Sequence, residues 1–128
     1  MYKRQVNADS NIFAVSSKSQ NDASLIGDEQ VEIFANQNDA WIQLGGSITN
    51  QLENEKLGNS ISLNLDGSVI AVGSPGTNQN KGLVRIYQYN GVNDWIQLGE
   101  DLVGDSSNDE FGADVSINYL GDLSLIHI

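Results

Sequence analysis

The chain has no cysteine, one histidine and one proline among its 128 residues, and each scarcity removes a class of function. Without cysteine there are no disulfides, no thiolate metal sites and no cysteine nucleophile. The single histidine, His127, stands next to the last position, which rules out a histidine-rich metal site and gives no basis for histidine catalysis. No apolar run approaches the roughly 18–20 residues that a membrane-spanning helix needs.

Basic residues are also scarce, with 6 Lys and Arg against 17 Asp and Glu, for a net charge of −11. Nucleic acids and anionic membrane surfaces are bound through lysine and arginine, so we expect neither as a partner. Glycine is well represented at 13 residues, which suits a chain with many tight turns.

The two ends carry an inverted pair of sequences. One possible DNA spelling of residues 1–5 is ATG TAT AAG AGA CAG, and its complementary strand, CTG TCT CTT ATA CAT, would encode residues 123–127; the alternative explanation is coincidence. Inverted ends of this kind resemble the transposase end sequence that is joined to DNA in sequencing libraries. We therefore expect residues 1–5 and 123–128 to derive from an adapter and the natural sequence to be a fragment covering residues 6–122.

An internal repeat runs through the rest of the chain. The pentapeptide WIQLG at 41–45 returns at 95–99, 54 residues later. Residues 31–34 match 84–87 at a shift of 53, and residues 12–16 match 69–73 at a shift of 57. Repeats of about 20–50 residues mark solenoids, propellers and other arrays, and this period lies just above that range.

The sequence of each repeat predicts four short strands. In the complete middle unit, residues 59–63 alternate polar and apolar, which predicts a half-buried strand. Residues 69–73 are apolar throughout and predict a strand buried on both faces. Residues 83–89 and 94–98 supply the third and fourth strands, and no segment has the periodicity of a helix. The fold class is therefore all-β, with antiparallel four-stranded blades of a β-propeller, about two of them and not closed.

The repeat also divides the chain. We expect a partial unit at 6–56, a complete unit at 57–110 and the start of a third at 111–122. Residues 123–128 alternate like a strand and occupy the position that residues 68–73 fill in the middle unit.

Several motifs resemble the FG-GAP repeat, which builds the propeller of integrin α-chains and of many surface proteins. Phe111 and Gly112 correspond to the FG half, and Leu57 with Gly58 is the preceding copy, in which leucine replaces phenylalanine. The GAP half corresponds to Gly73, Ser74 and Pro75. Residues 65–74 and 83–87 also have the pattern of a WD repeat, which leaves a WD-repeat propeller as an alternative. Its Gly-His and Trp-Asp signatures are missing, however, and its period of about 40–45 residues is shorter than the one found here. A non-propeller β fold is another alternative.

The FG-GAP resemblance implies a binding or scaffold module that is not an enzyme and mediates extracellular or cell-surface contacts with a protein or glycan. Two alternatives remain open. One is a propeller enzyme, for example one acting on glycans, whose catalytic residues lie in further blades. The other is a purely structural array. No residue of this chain stands out as catalytic, since neither a carboxylate pair nor a nucleophile elbow can be singled out.

Many FG-GAP blades bind calcium through a loop with several aspartates. The corresponding connection here, residues 64–67, offers Asp66 as its one carboxylate, whereas calcium needs six to eight oxygen ligands. We therefore expect Asp66 to be a turn residue and expect no cofactor.

Two further groups of residues are weak candidates for sites. One group lies just before a predicted strand and consists of the acidic residues Asp105, Asp109 and Glu110. A solvated loop is the favoured interpretation, and a cation site is the alternative. Trp41 and Trp95 hold equivalent positions in two repeats, which favours packing over ligand stacking.

An incomplete propeller would leave apolar blade faces open. Since propellers close with about 4–8 blades, we expect the chain alone to associate or aggregate. Sharp two-state melting of a monodisperse monomer would contradict this expectation.

Overall fold

The structure is a computed structural model that describes the backbone of residues 2–6, 11–17, 29–51, 56–64, 67–108, 114–117 and 123–127. Within these ranges it describes the side chains of residues 11–17, 29–51, 56–64, 67–77 and 80–108. The strands are β1 (Tyr2–Val6), β2 (Ile12–Ser17), β3 (Gln30–Gln37), β4 (Ala40–Gln43), β5 (Ile48–Thr49), β6 (Ser60–Leu63), β7 (Val69–Ser74), β8 (Leu83–Tyr89), β9 (Trp95–Val103), β10 (Asp114–Ile117) and β11 (Leu123–His127). A single helical turn, α1 (Thr77–Asn80), joins β7 to β8.

The strands form three antiparallel sheets. Sheet 1 has the order β1-β2-β3-β4, with β5 also pairing with β3, sheet 2 has the order β6-β7-β8-β9, and sheet 3 is the pair β10-β11. Apart from β5, neighbours in sequence are neighbours in each sheet, because tight turns favour antiparallel hairpins. The all-β antiparallel class is confirmed. The fourth strand of the middle unit runs to Val103 rather than ending at residue 98.

The sequence repeat is also a repeat of cross-strand pairing. One row of paired residues in sheet 1 runs Phe13, Phe34, Gln43, and the row in sheet 2 runs Ile70, Tyr87, Gln97. The shifts of 57, 53 and 54 residues found in the sequence convert the first row into the second. Insertions between repeats therefore fall in the connections, while the register inside the sheets stays the same.

A bulge in the outer strand is common to both sheets. In β9 the register shifts between the partners of Val84 and Ile86, and Gly99 lies there with a φ of 72°. In sheet 1 the same irregularity separates β4 from β5, and Gly45 lies there with a φ of 74°. Glycine takes this left-handed conformation without the steric cost that a Cβ would bring, which accounts for its presence at both bulges.

Each sheet has two faces, which we name by the paired residues that share them. The front face of sheet 2 carries Ile61, Leu63, Ile70, Val72, Tyr87 and Trp95, and the front face of sheet 1 carries Phe13, Val15, Phe34 and Trp41. The back face of sheet 1 carries Ile12, Ala14, Val31, Ile33 and Ile48, and the back face of sheet 2 carries Ser62, Val69, Ala71, Val84, Ile96, Leu98 and Leu102.

The core lies between the front face of sheet 2 and the back face of sheet 1. Its buried members come from both faces, and Ile12, Leu44 and Tyr89 pack around them. On the other side of sheet 2, β10 lies next to β6 and β7. The sheets therefore follow one another front to back.

This stacking decides the burial of the two inner strands of sheet 2. All six residues of β7 are buried, as its continuous apolar run predicts. The four residues of β6 are buried as well, so the expectation of a half-buried strand from its alternating pattern is wrong. Ser60 and Ser62 face the back of sheet 2, where β10 approaches, and small hydroxyl side chains leave room for that approach.

Both segments that we expect to derive from an adapter contain strands. Residues 2–6 form β1 beside β2, and Leu123–His127 forms β11 beside β10, as the alternating pattern of residues 123–128 predicts. Strand pairing uses backbone N–H and C=O groups, which any non-proline sequence provides. In the part of the chain that the structure describes, no helix has the length and hydrophobicity needed to cross a membrane.

Candidate functional site

The joint between sheets 1 and 2 is centred on Trp95. Its indole Nε1 donates a hydrogen bond to the carbonyl oxygen of Leu44 at 2.8 Å, and its ring packs on Tyr89 with centroids 5.3 Å apart. Only 6% of Trp95 is exposed. A Cβ on Gly45 would lie 2.9 Å from Trp95 Cδ1, so the indole of one sheet fits against the glycine bulge of the other.

Trp41 holds the equivalent position in sheet 1 but not the equivalent environment. It is 49% exposed and packs edge-on against Phe13 at 4.8 Å between ring centroids. Phe13 in turn stacks on Phe34 at 5.2 Å. The two tryptophans differ because, among the described residues, another sheet lies in front of Trp95 and none lies in front of Trp41.

Arg85 forms a buried polar centre on the front face of sheet 2. Its Nε lies 3.0 Å from Oδ1 of Asp101, and Gln97 Nε2 donates to the same oxygen at 2.7 Å. The hydrogen bond from Arg85 is the main reason that the pKa of Asp101 lies below its ordinary value. Partial burial of the carboxylate opposes this lowering of the pKa. The hydrogen bond from Gln97 and the positive charge of Arg85 add to it. The pairing holds β8 to β9 across the bulge and satisfies a charge that burial would otherwise penalise.

A second buried polar group, which the sequence analysis missed, joins sheet 1 to the start of the middle unit. Glu29 Oε1 accepts a hydrogen bond from Leu57 N at 3.2 Å, and Asn50 Oδ1 accepts one from Glu29 N at 3.0 Å. The equivalent positions of the next unit, Gly82 and Gly104, share only the backbone bond. The buried pair could have been found by asking which side chains replace these two glycines.

The FG-GAP-like residues of the middle unit lie in contact. Gly58 N donates to Gly73 O at 3.0 Å, so the two motif halves meet through the backbone. A Cβ on Gly58 would lie 2.6 Å from Ser16 Cβ, and Leu57 beside it is buried. Gly58 therefore permits close approach between its backbone and the neighbouring sheet.

The chain turns directly after Gly73. Ser74 is buried, its carbonyl accepts a hydrogen bond from Thr77 Oγ1 at 3.2 Å, and Pro75 follows in the turn. Among the described residues, no partner of Ser74 Oγ is found. Phe111 and Gly112, the other predicted motif copy, lie outside the described residues.

The acidic candidates are not brought together by the described part of the chain. Asp105 is exposed, and Asp109 and Glu110 lie outside the described residues. Among the described side chains there is no group of three or more His, Cys, Asp or Glu residues placed to hold a metal ion.

The predicted turn residue Asp66 also lies outside the described residues, but the described residues before and after it are joined by hydrogen bonds. Asn64 Oδ1 accepts a hydrogen bond from Val69 N at 2.9 Å, and Asn64 O accepts one from Gly67 N at 3.1 Å. The side chain of Asn64 therefore closes the connection between β6 and β7.

Comparisons with known proteins leave the chain without an assigned family. No model of a known protein family matches it. A search of curated proteins likewise gave no match.

Proposed function

We propose that sheets 1 and 2 are successive blades of an FG-GAP-like β-propeller, and that the chain serves as a binding scaffold for a protein or glycan. The observation that supports this most strongly is the front-to-back packing of two sheets with the same register. A heterologous interface of this kind, repeated by rotation, generates a ring or an open array. A propeller is such a ring of four-stranded sheets.

The connections of the sheets are suited to presenting a binding surface. In the turn between β8 and β9, Asn90 Oδ1 accepts hydrogen bonds from the backbone N–H groups of Val92, Asn93 and Asp94 at 2.8, 2.9 and 3.1 Å. Val92 at the tip is the most exposed of the large apolar side chains in the described residues, at 77%. A turn held by three hydrogen bonds can present an apolar side chain at little entropic cost on binding.

On this proposal the chain functions outside the cell or at its surface, a placement that rests on the FG-GAP resemblance alone. The acidic composition agrees with a partner that is not a nucleic acid.

Arrays of glycans and of purified extracellular protein domains, probed with the chain, test the proposal. Two variants, Val92→Ala and Asp105→Asn, alter opposite ends of sheet 2, and Thr49→Ala alters an exposed residue in β5 as the matched control. We expect saturable binding that one of the two loop variants weakens and the control retains. Absence of saturable binding on both arrays, or equal weakening by all three variants, would overturn the proposal.

Calcium is tested in the same experiment. Because residues 64–67 offer a single carboxylate, we expect binding to be the same with calcium and with a chelator. Binding that the chelator removes would show that a calcium loop contributes after all.

A further inference from the structure

Two sheet faces meet at the interface between sheets 1 and 2, and we call them the donor half and the acceptor half of that interface. The donor half is the front face of sheet 2, from which Trp95 reaches across to donate its indole N–H. The acceptor half is the back face of sheet 1, where Leu44 offers its carbonyl oxygen and Gly45 leaves room for the ring. Each half recurs once more in the chain, because each sheet carries both faces.

The second donor half is the front face of sheet 1. Phe13, Phe34 and Trp41 lie there in the register positions of Ile70, Tyr87 and Trp95. The exposure of Trp41 marks this face as open over its outer strand. The aromatic cluster thus provides the apolar area and the indole N–H of a donor half, and no sheet of the described part of the chain lies in front of it.

The second acceptor half is the outer part of the back face of sheet 2. Leu98 and Gly99 occupy the register positions of Leu44 and Gly45, and Leu98 is 43% exposed. Ile96 and Leu102 beside them are also exposed. A Cβ on Gly99 would meet nothing within 4 Å, whereas the same position on Gly45 is filled by the indole of Trp95.

We propose that these two open halves bind each other between copies of the chain. The front face of sheet 1 of one copy docks on the back face of sheet 2 of another, and the Trp41 indole donates to the carbonyl oxygen of Leu98 over Gly99. The occupant is a second copy because the docking repeats, face for face, the interface that already holds sheets 1 and 2 together. The contact is head to tail, so a dimer keeps one open donor and one open acceptor half and can add further copies.

The strand pair β10-β11 competes with this docking. It lies against β6 and β7, where the inner strands of a docked sheet 1 would be placed, so the second copy must displace it. The net charge of −11 on each copy also opposes association. Added salt screens that repulsion, and we therefore expect association to strengthen as salt rises.

Sedimentation velocity across a concentration series measures the association. We expect the unaltered chain to form dimers and larger species, and expect Trp41→Ala, on the donor half, and Leu98→Lys, on the acceptor half, each to weaken self-association roughly tenfold or more. Asp39→Asn changes an exposed residue in the turn between β3 and β4 that lies on neither half, and asparagine tolerates its left-handed φ of 66°, so this variant is expected to behave like the unaltered chain.

Mixing the two variants gives the most specific readout. The Trp41→Ala chain keeps its acceptor half and the Leu98→Lys chain keeps its donor half, so the mixture is expected to form a one-to-one dimer that grows no further. Circular dichroism shows whether each variant is folded. If Trp41→Ala does not fold, Trp41→Phe replaces it, because phenylalanine keeps an aromatic ring against Phe13 and removes the N–H donor.

A chain that stays monomeric at all concentrations and salt levels would overturn the inference. So would folded variants that associate like the unaltered chain, or a mixture that forms no dimer. These outcomes are separate from the array experiment, since ligand binding is measured there through loop residues that lie outside both halves.

Discussion

Two glycines show how far a single residue determines its surroundings. Gly45 and Gly99 lie in equivalent bulges with φ angles of 74° and 72°. Their common conformation follows from the repeat, because the same local sequence closes the same bulge. Their neighbours differ completely: the indole of Trp95 lies against Gly45, and nothing lies within 4 Å of the Cβ position of Gly99.

A matched pair of alanine substitutions separates conformation from contact. In the unassociated chain, Gly99→Ala incurs only the left-handed φ, at a cost of about 1–2 kcal/mol. Gly45→Ala incurs the same cost and also brings a Cβ to 2.9 Å from Trp95 Cδ1, where the indole cannot move without losing its bond to Leu44. Overpacking of this kind adds about 1–3 kcal/mol.

Urea denaturation of both glycine variants at one chain concentration measures the difference. The free energy of unfolding is expected to fall further for Gly45→Ala than for Gly99→Ala. Equal losses would mean that the Trp95 joint adapts to the new methyl group without cost.

At the scale of the element, β8 and β9 are joined by more than their backbone ladder. The ladder is irregular at the bulge beside Arg85, and the side chains of Asp101 and Gln97 bridge the gap. An arginine in a strand pattern indicates an exposed position, yet Arg85 is buried and its carboxylate partner is 38% exposed. The hairpin therefore brings together a charge pair sixteen residues apart along the chain.

The Arg85–Asp101 pair makes the stability of the hairpin depend on pH. Because the pKa of Asp101 is lowered in the folded chain, its stabilisation is complete above the ordinary aspartate pKa of about 3.9 and is lost as pH falls through the lower folded value. Solvent screening at the exposed carboxylate keeps the effect small.

The Asp101→Asn variant tests this dependence. The difference in unfolding free energy between the unaltered chain and the variant is expected to shrink as pH falls below about 4, because protonated aspartate and asparagine are both neutral. Asp105→Asn, an exposed substitution with the same loss of one charge, is the control. A difference that stays constant with pH would show that the charge of Asp101 contributes nothing.

At the scale of the whole molecule, stability depends on the contact between sheets. The core draws on the front face of sheet 2 and the back face of sheet 1, so neither sheet buries its apolar side chains without the other. Among the described side chains, the exposed large apolar residues lie in or beside the outer strands β4 and β9, whereas β10 lies against the inner strands β6 and β7 of sheet 2. The apolar surface left open therefore belongs to the outer strands.

Ile70→Ala removes a fully buried side chain from this contact. The cavity is expected to cost about 2–5 kcal/mol in unfolding free energy. Ile42→Ala, at a half-exposed isoleucine in β4, is the control and is expected to cost less than about 1 kcal/mol.

Urea denaturation of these two variants, followed by circular dichroism and by tryptophan fluorescence, distinguishes coupled from independent sheets. The fall in unfolding free energy of Ile70→Ala is expected to be the same by both methods. Circular dichroism reports the strands of both sheets, and tryptophan fluorescence reports the surroundings of Trp41 and Trp95. A shift in only one signal would mean that the sheets unfold separately.

The sequence by itself determined the all-β class, most of the strands and the alignment of the two repeats. Turn residues and apolar patterns act locally, so the shifts between WIQLG copies, between residues 31–34 and 84–87, and between residues 12–16 and 69–73 already align each cross-strand pair. Only the tertiary structure decided which faces are covered. Burial of β6, pairing of Arg85 with Asp101 and the contrast between Trp95 and Trp41 all depend on what lies in front of or behind a sheet. A local sequence pattern does not show which element packs against a given face of a sheet, because packing joins residues that are far apart in sequence.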